Sequence, residues 1–131
     1  MSSRVVVADA SALAALIFGE PGYIEVDRQL HGAAIFAPPL LVAELSNVAW
    51  KKARRHPAET GRIMAALQSA LADNAINWSD VDPVDAALVA LETGASAYDA
   101  SYLWLAGHLG ADLVTLDRQL IAASADFVPR A

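Results

Sequence analysis

Two patterns of apolar and polar positions alternate along the chain. Short, nearly uninterrupted apolar runs are separated by longer stretches whose apolar residues recur three or four positions apart. RVVVA (residues 4–8) is a run of the first kind, rich in valine and without reliable alternation, and it predicts a short buried strand. AAIFA, AINW and ADLVTL predict further strands, and FVP near the end predicts a final edge strand. The second pattern predicts helices. One begins around SALAALI, capped by Asp9 and Ser11, and breaks at GEPG; YIEVDRQL follows as another. Pro39 suits the first turn of a helix reaching about Arg55, where His56–Pro57 stops it. A helix from about Pro57 to Asp73 carries Ile63, Met64, Leu67 and Leu71 at helical spacing. Asp82 and Pro83 open a helix that Gly94 ends, SAYDASYLWLAGHL forms the next, and the last begins near Asp117.

Short apolar strands separated by helices predict an α/β fold with a short, mainly parallel sheet covered on both faces. Sites in such sheets open outside the carboxyl ends of the strands, at a topological switch point. Asp9 and Asp117 both directly follow strand-like runs and can reach such a crevice.

Composition narrows the picture. At 131 residues and 56% hydrophobic, the chain fits one domain over residues 1–131, and its many alanines favour closely packed helices. No stretch has the length and freedom from charge of a membrane-spanning helix. Asp9 interrupts the first apolar region and Arg4 alone is a weak basic segment, so a signal peptide is not expected. The absence of cysteine excludes disulfides, thiolate chemistry and cysteine-based zinc sites, and a cytoplasmic location is the default. A net charge of −6 argues against an architectural nucleic-acid binder, though not against a nuclease whose cations cancel local acidity. Basic residues cluster at Lys51, Lys52, Arg54, Arg55 and His56.

Four acids stand in surroundings that favour apolar or neutral residues: Asp9 after RVVVA, Glu44 in PPLLVAELSNVAW, Asp99 in AYDASYLWLA and Asp117 after ADLVTL. Each has an ordinary explanation. Asp9 and Asp117 can cap helices, Asp99 can stabilise a helix N-terminus, and Glu44 can sit at a surface rim beside Leu40, Leu41 and Val48. Isolated buried charges are costly, however, and four such sites together suggest a common cation. Oxygen-rich acidic sites suit Mg²⁺ or Mn²⁺, which polarise phosphodiesters and lower the pKa of an attacking water.

The stretches VVVADASALAALIFGEPG, PPLLVAELSNVAW and SAYDASYLWLAGHLGADLVTLD with the following RQL closely resemble the PIN-domain ribonuclease family. The VapC-like toxins of prokaryotic toxin–antitoxin pairs are the most similar group. The resemblance spans essentially the whole chain and implies a three-layer α/β/α fold with a largely parallel sheet. It further implies metal-dependent RNA cleavage, toxin activity, inhibition by a cognate antitoxin, and a homodimer. The family's acidic quartet falls on Asp9, Glu44, Asp99 and Asp117 as catalytic and metal-ligating residues, with Ser11 and Thr115 as supporting polar positions.

Lys51 and Lys52, seven and eight residues beyond Glu44, can engage RNA phosphates or simply complement a helix C-terminus. Trp50, Tyr98, Tyr102 and Trp104 can stack on bases, contact an antitoxin or pack in a core or dimer, and His108 reads as a surface or packed residue. The expected activity is a Mg²⁺- or Mn²⁺-dependent endoribonuclease. A noncatalytic RNA- or protein-binding PIN-like domain is the alternative. An α/β phosphatase is weaker, because DAS lacks the second aspartate of a DxD motif.

Overall fold

The computed structural model describes residues 4–125. The FVP segment lies outside those residues. Strand β1 (Arg4–Ala8) leads into helices α1 (Ala10–Phe18) and α2 (Tyr23–Leu30), then β2 (Ala33–Ala37). Helices α3 (Leu40–Arg55) and α4 (Thr60–Ala72) lead to β3 (Ile76–Trp78), and α5 (Pro83–Thr93) and α6 (Ala97–Leu109) to β4 (Asp112–Val114). Helix α7 (Arg118–Ser124) follows. The expected helix from Pro57 to Asp73 is divided: Pro57–Glu59 is a 3₁₀ turn, and α4 starts at Thr60. Ser11 lies inside α1; Asp9 alone is its N-cap.

The four strands run parallel in the order β3-β2-β1-β4, with Val6 opposite Ile35 on one side and Asp112 on the other. This order explains the layers. Parallel crossovers are right-handed, so the steps β1 to β2 and β2 to β3 place their helices on one face. The step from β3 back to β4 runs the opposite way and places α5 and α6 on the other face.

Two cores result. Val6 and Ala8 pack with Leu13, Val26, Leu41 and Leu45 from α1, α2 and α3. Val7 packs with Val89, Tyr102, Leu103, Leu105 and Leu120 from α5, α6 and α7. Thus β1 alternates between the two cores although its sequence shows only a valine run, because both faces are dry. Each fully buried leucine or valine contributes roughly 1.5–3 kcal/mol. Helix α3 buries Leu41, Leu45 and Ala49 at helical spacing, and α6 buries residues around most of its circumference between the sheet and α5. Among the described residues, no helix is long and apolar enough to cross a membrane.

The GEPG break has a steric role beyond ending α1. Gly22 adopts φ +93°, and a Cβ there would approach Leu116 Cδ1 to 3.0 Å. Leu116 belongs to the connection after β4, so the turn before α2 packs against that connection. Gly22→Ala therefore combines left-handed strain with a tight contact, and should cost about 1–2 kcal/mol in urea denaturation.

Candidate active site

Reversal of strand order between β1 and β4 opens a crevice beyond their carboxyl ends. The two strand ends are tied there by the Asp9 amide, which donates to the Val114 carbonyl at 3.2 Å. Asp9 is 5% exposed, the one charged side chain buried among the described residues. Its carboxylate is satisfied on both oxygens. Oδ1 accepts from the Ser11 hydroxyl at 2.7 Å and the Ala12 amide at 3.0 Å, and Oδ2 accepts from the Thr115 hydroxyl at 2.6 Å.

The partners of Asp9 are themselves held. Ser11 Oγ accepts from the Leu116 amide at 2.9 Å, and Thr115 Oγ1 from the Asp117 amide at 3.0 Å. Asp117 Oδ1 in turn accepts from the amides of Gln119 and Leu120, capping α7. Thr115 and Asp117 thus lie in the connection after β4, which is shorter than the ADLVTL run predicts. The capping role expected of Asp117 is thus present, beyond the end of the strand that pairs with β1.

Glu44 and Asp99 reach the crevice from α3 and α6, both half-buried. Glu44 Oε1 accepts a 2.5 Å hydrogen bond from the Tyr102 hydroxyl. Tyr102 is 1% exposed, which gives it a core position with a polar tip. Sequence reasoning missed this bond. The three-residue offset from Asp99 places Tyr102 on the same side of α6, but nothing local says that α3 faces it. Asp99 lies in the first turn of α6 behind the Ser96 cap.

Asp9, Glu44 and Asp99 each feel the charge of at least one other member of the quartet. Burial raises the proton affinity of Asp9, and Asp117 adds to it, while the bonds from Thr115, Ala12 and Ser11 oppose the rise. Burial likewise raises Glu44, reinforced by Asp9 and Asp99 and opposed by Tyr102. Asp99 is raised by burial, then by Asp117 and Asp9. None of the ion pairs among the described residues includes any of the four. All are hard oxygen donors, so their chemistry and uncompensated charge fit Mg²⁺ or Mn²⁺. Yet no group of three or more histidine, cysteine or carboxylate side chains among the described residues is set to hold a metal ion. The bonds to Asp9 and Glu44 direct their oxygens toward protein donors, and mutual repulsion opposes closer approach.

The PIN-domain family model matches residues 6–126, nearly the whole chain. The chain belongs to the PIN-domain family. Ribonuclease VapC3 of Pyrobaculum aerophilum is 34% identical over 118 residues, covering 87% of this chain and 90% of that protein. Exonuclease VapC9 of the same organism is 34% identical over 115 residues, covering 87% and 81%. The crystal structure of PAE2754 from P. aerophilum superposes with a TM-score of 0.76 at 28% identity, over 95% of this chain and 87% of that one. Mycobacterium tuberculosis VapC20, a sarcin-ricin loop cleaving toxin, shares the fold with a TM-score of 0.65 at 16% identity, over 95% and 98%. This PIN domain is VapC-like.

The two lysines after Glu44 have different surroundings in this PIN domain. Lys52 pairs with Glu20 at 2.7 Å and lies 5.7 Å from the Phe18 ring, tying α3 to the end of α1. Lys51 is exposed. Trp104 stacks on His108, with ring centroids 4.6 Å apart, and the Arg54 guanidinium lies over Trp50.

Two expectations follow from this electrostatic arrangement. Tyr102 is pushed far above the ordinary tyrosine range by burial and its bond to Glu44, so it stays a donor. Tyr102→Phe should lose about 1–3 kcal/mol of stability, read by urea denaturation. Asp99 behaves oppositely. Its raised proton affinity means that its charge destabilises the fold as pH rises through the ordinary aspartate value, and the penalty is absent below that value. In chelator at pH 7, Asp99→Asn should melt above wild type, by a margin that solvent screening keeps small, with the gap closing toward pH 4 in calorimetry.

Proposed function

We propose that this chain is a metal-dependent endoribonuclease, the toxin of a toxin–antitoxin pair, built as a single PIN-like domain over residues 1–131. What supports this reading is the electrostatic influence that Asp9, Glu44, Asp99 and Asp117 exert within the quartet, with no salt bridge to any of the four among the described residues. Membership of the PIN-domain family and similarity to proteins named ribonuclease and exonuclease support it.

In this mechanism Asp9, Glu44 and Asp99 would hold Mg²⁺ or Mn²⁺, with Asp117 completing the site. The cation, when bound, supplies Lewis acidity for the phosphodiester and lowers the pKa of the attacking water. Ser11 and Thr115 fix the Asp9 carboxylate from both sides, so its place is set before substrate arrives. Tyr102 restrains Glu44 through one oxygen. A carboxylate of the quartet or a chain of solvent would accept the proton released by the attacking water. Lys51 would meet a flanking phosphate; Lys52 could do so only by leaving Glu20. A cognate antitoxin and a homodimer are the proposed protein partners.

A noncatalytic RNA- or protein-binding role is the second reading. It is favoured by the lack of a preassembled group of three metal ligands among the described residues. The two readings separate in one experiment. Wild type and Asp9→Asn, both checked for folding, are given linear and circular RNA with and without Mn²⁺, and the cut ends are mapped. We expect wild type to cut circles only with Mn²⁺, and Asp9→Asn to lose at least roughly 100-fold in rate. Cutting of linear RNA alone would indicate an exonuclease, and cation binding in calorimetry without turnover would establish the noncatalytic role. Unchanged cutting by Asp9→Asn would remove Asp9 from the site.

A further inference from the structure

Beside the acids lies an open surface cavity of about 320 Å³, of whose lining the proposed reaction uses only Glu44. Ala10 of α1 and Leu40, Ala43 and Val48 of α3 give it an apolar lining; Glu44, Asn47 and Tyr98 complete it. We propose that this cavity is a nucleobase subsite, taking one unstacked RNA base beside the phosphodiester at the acidic centre. The proposal rests on the ribonuclease reading above and deepens it.

The size is at the lower end of small-ligand pockets, roughly 300–1,000 Å³, which suits a single base better than a larger ligand. The chemistry is equally selective. Tyr98 is 66% exposed, a large ring with little burial to explain it, and it directly precedes Asp99 at the start of α6. Bases splayed from single-stranded RNA stack on such rings. Asn47, exposed and one helical turn beyond Glu44, carries a donor and an acceptor on one flat group, and none of the hydrogen bonds among the described residues engages its side chain. Both features match the edge of a base.

Position supplies the remaining argument. Glu44 belongs to both the cavity and the acidic centre, so a group in the cavity is held next to the reacting position. A base is uncharged and enters beside Glu44 without repulsion, whereas an acidic peptide side chain would not. Lys51, exposed and one further turn along α3, continues the same helical face and meets the adjoining phosphate. An apolar peptide side chain would use neither Asn47 nor Lys51.

The test uses Tyr98→Ala, Tyr98→Phe and Asn47→Ala, with circular dichroism confirming that each is folded. Binding of a short single-stranded RNA is measured by fluorescence anisotropy in chelator. Separately, a random-sequence RNA pool is digested with Mn²⁺ and its cut ends are sequenced. We expect Tyr98→Ala to weaken binding roughly 5- to 100-fold and Tyr98→Phe to retain it, since stacking needs the ring and not the hydroxyl. Asn47→Ala should flatten the base preference next to the cut by roughly 5- to 10-fold. RNA cut by all variants with wild-type affinity and preference would overturn the subsite and leave the nuclease standing. RNA bound through Tyr98 but never cut would keep the subsite and remove the nuclease reading. RNA neither bound nor cut by wild type would remove both. Wild-type RNA handling combined with lost binding of a co-expressed antitoxin would make the cavity a protein-docking groove and overturn the subsite.

Discussion

Burial of the Asp9 carboxylate is the constraint around which the crevice is organised. A carboxylate removed from water is tolerated only when its oxygens are hydrogen-bonded, and here three donors meet it from two separate parts of the chain. Ser11 and Ala12 come from the helix that β1 feeds directly. Thr115 comes from the connection after β4, more than one hundred residues later. That meeting exists only because β4 returns to pair with β1 on the side opposite β2. Through Thr115 the same network sets the Asp117 amide and thereby the start of α7, while Gly22 and Leu116 support the connection.

A second tension is electrostatic. Asp9, Glu44 and Asp99 each have raised proton affinity, first from burial and then from one another or Asp117. Such a cluster works against stability, and proteins retain strain of this kind where function uses it. Two cores of close-packed aliphatic side chains on either face of the sheet offset it. The hydroxyls of Ser11, Thr115 and Tyr102 soften the repulsion without adding positive charge, which leaves the proposed cation as the group that completes the balance.

Much of this was legible before folding, for identifiable reasons. Gly and Pro mark the ends of elements because their backbone restrictions are local, so Pro83 and Gly94 bound α5 as expected. The four acids stood out because each interrupts an apolar pattern. Other features were hidden. The valine run of β1 conceals its alternation because both faces of the sheet are dry. The 3₁₀ turn at Pro57–Glu59 follows an apolar periodicity too weak to place the start of α4. The cavity at Asn47 has no sequence signature, since an exposed asparagine three residues after Glu44 looks like any solvated helix position.

By itself, the sequence determined the kind of elements, the α/β class, the absence of cysteine chemistry and the identity of the acids. Those depend on interactions within a few residues or on composition alone. Tertiary structure decided which hydroxyl serves which carboxylate, and that Lys52 belongs to Glu20 while Lys51 is exposed. It also decided that Tyr102 of α6 would hold Glu44 of α3, fifty-eight residues away. The reason is strand order: a right-handed crossover returning past β1 brings remote segments together at one sheet end, and no local pattern encodes that juxtaposition.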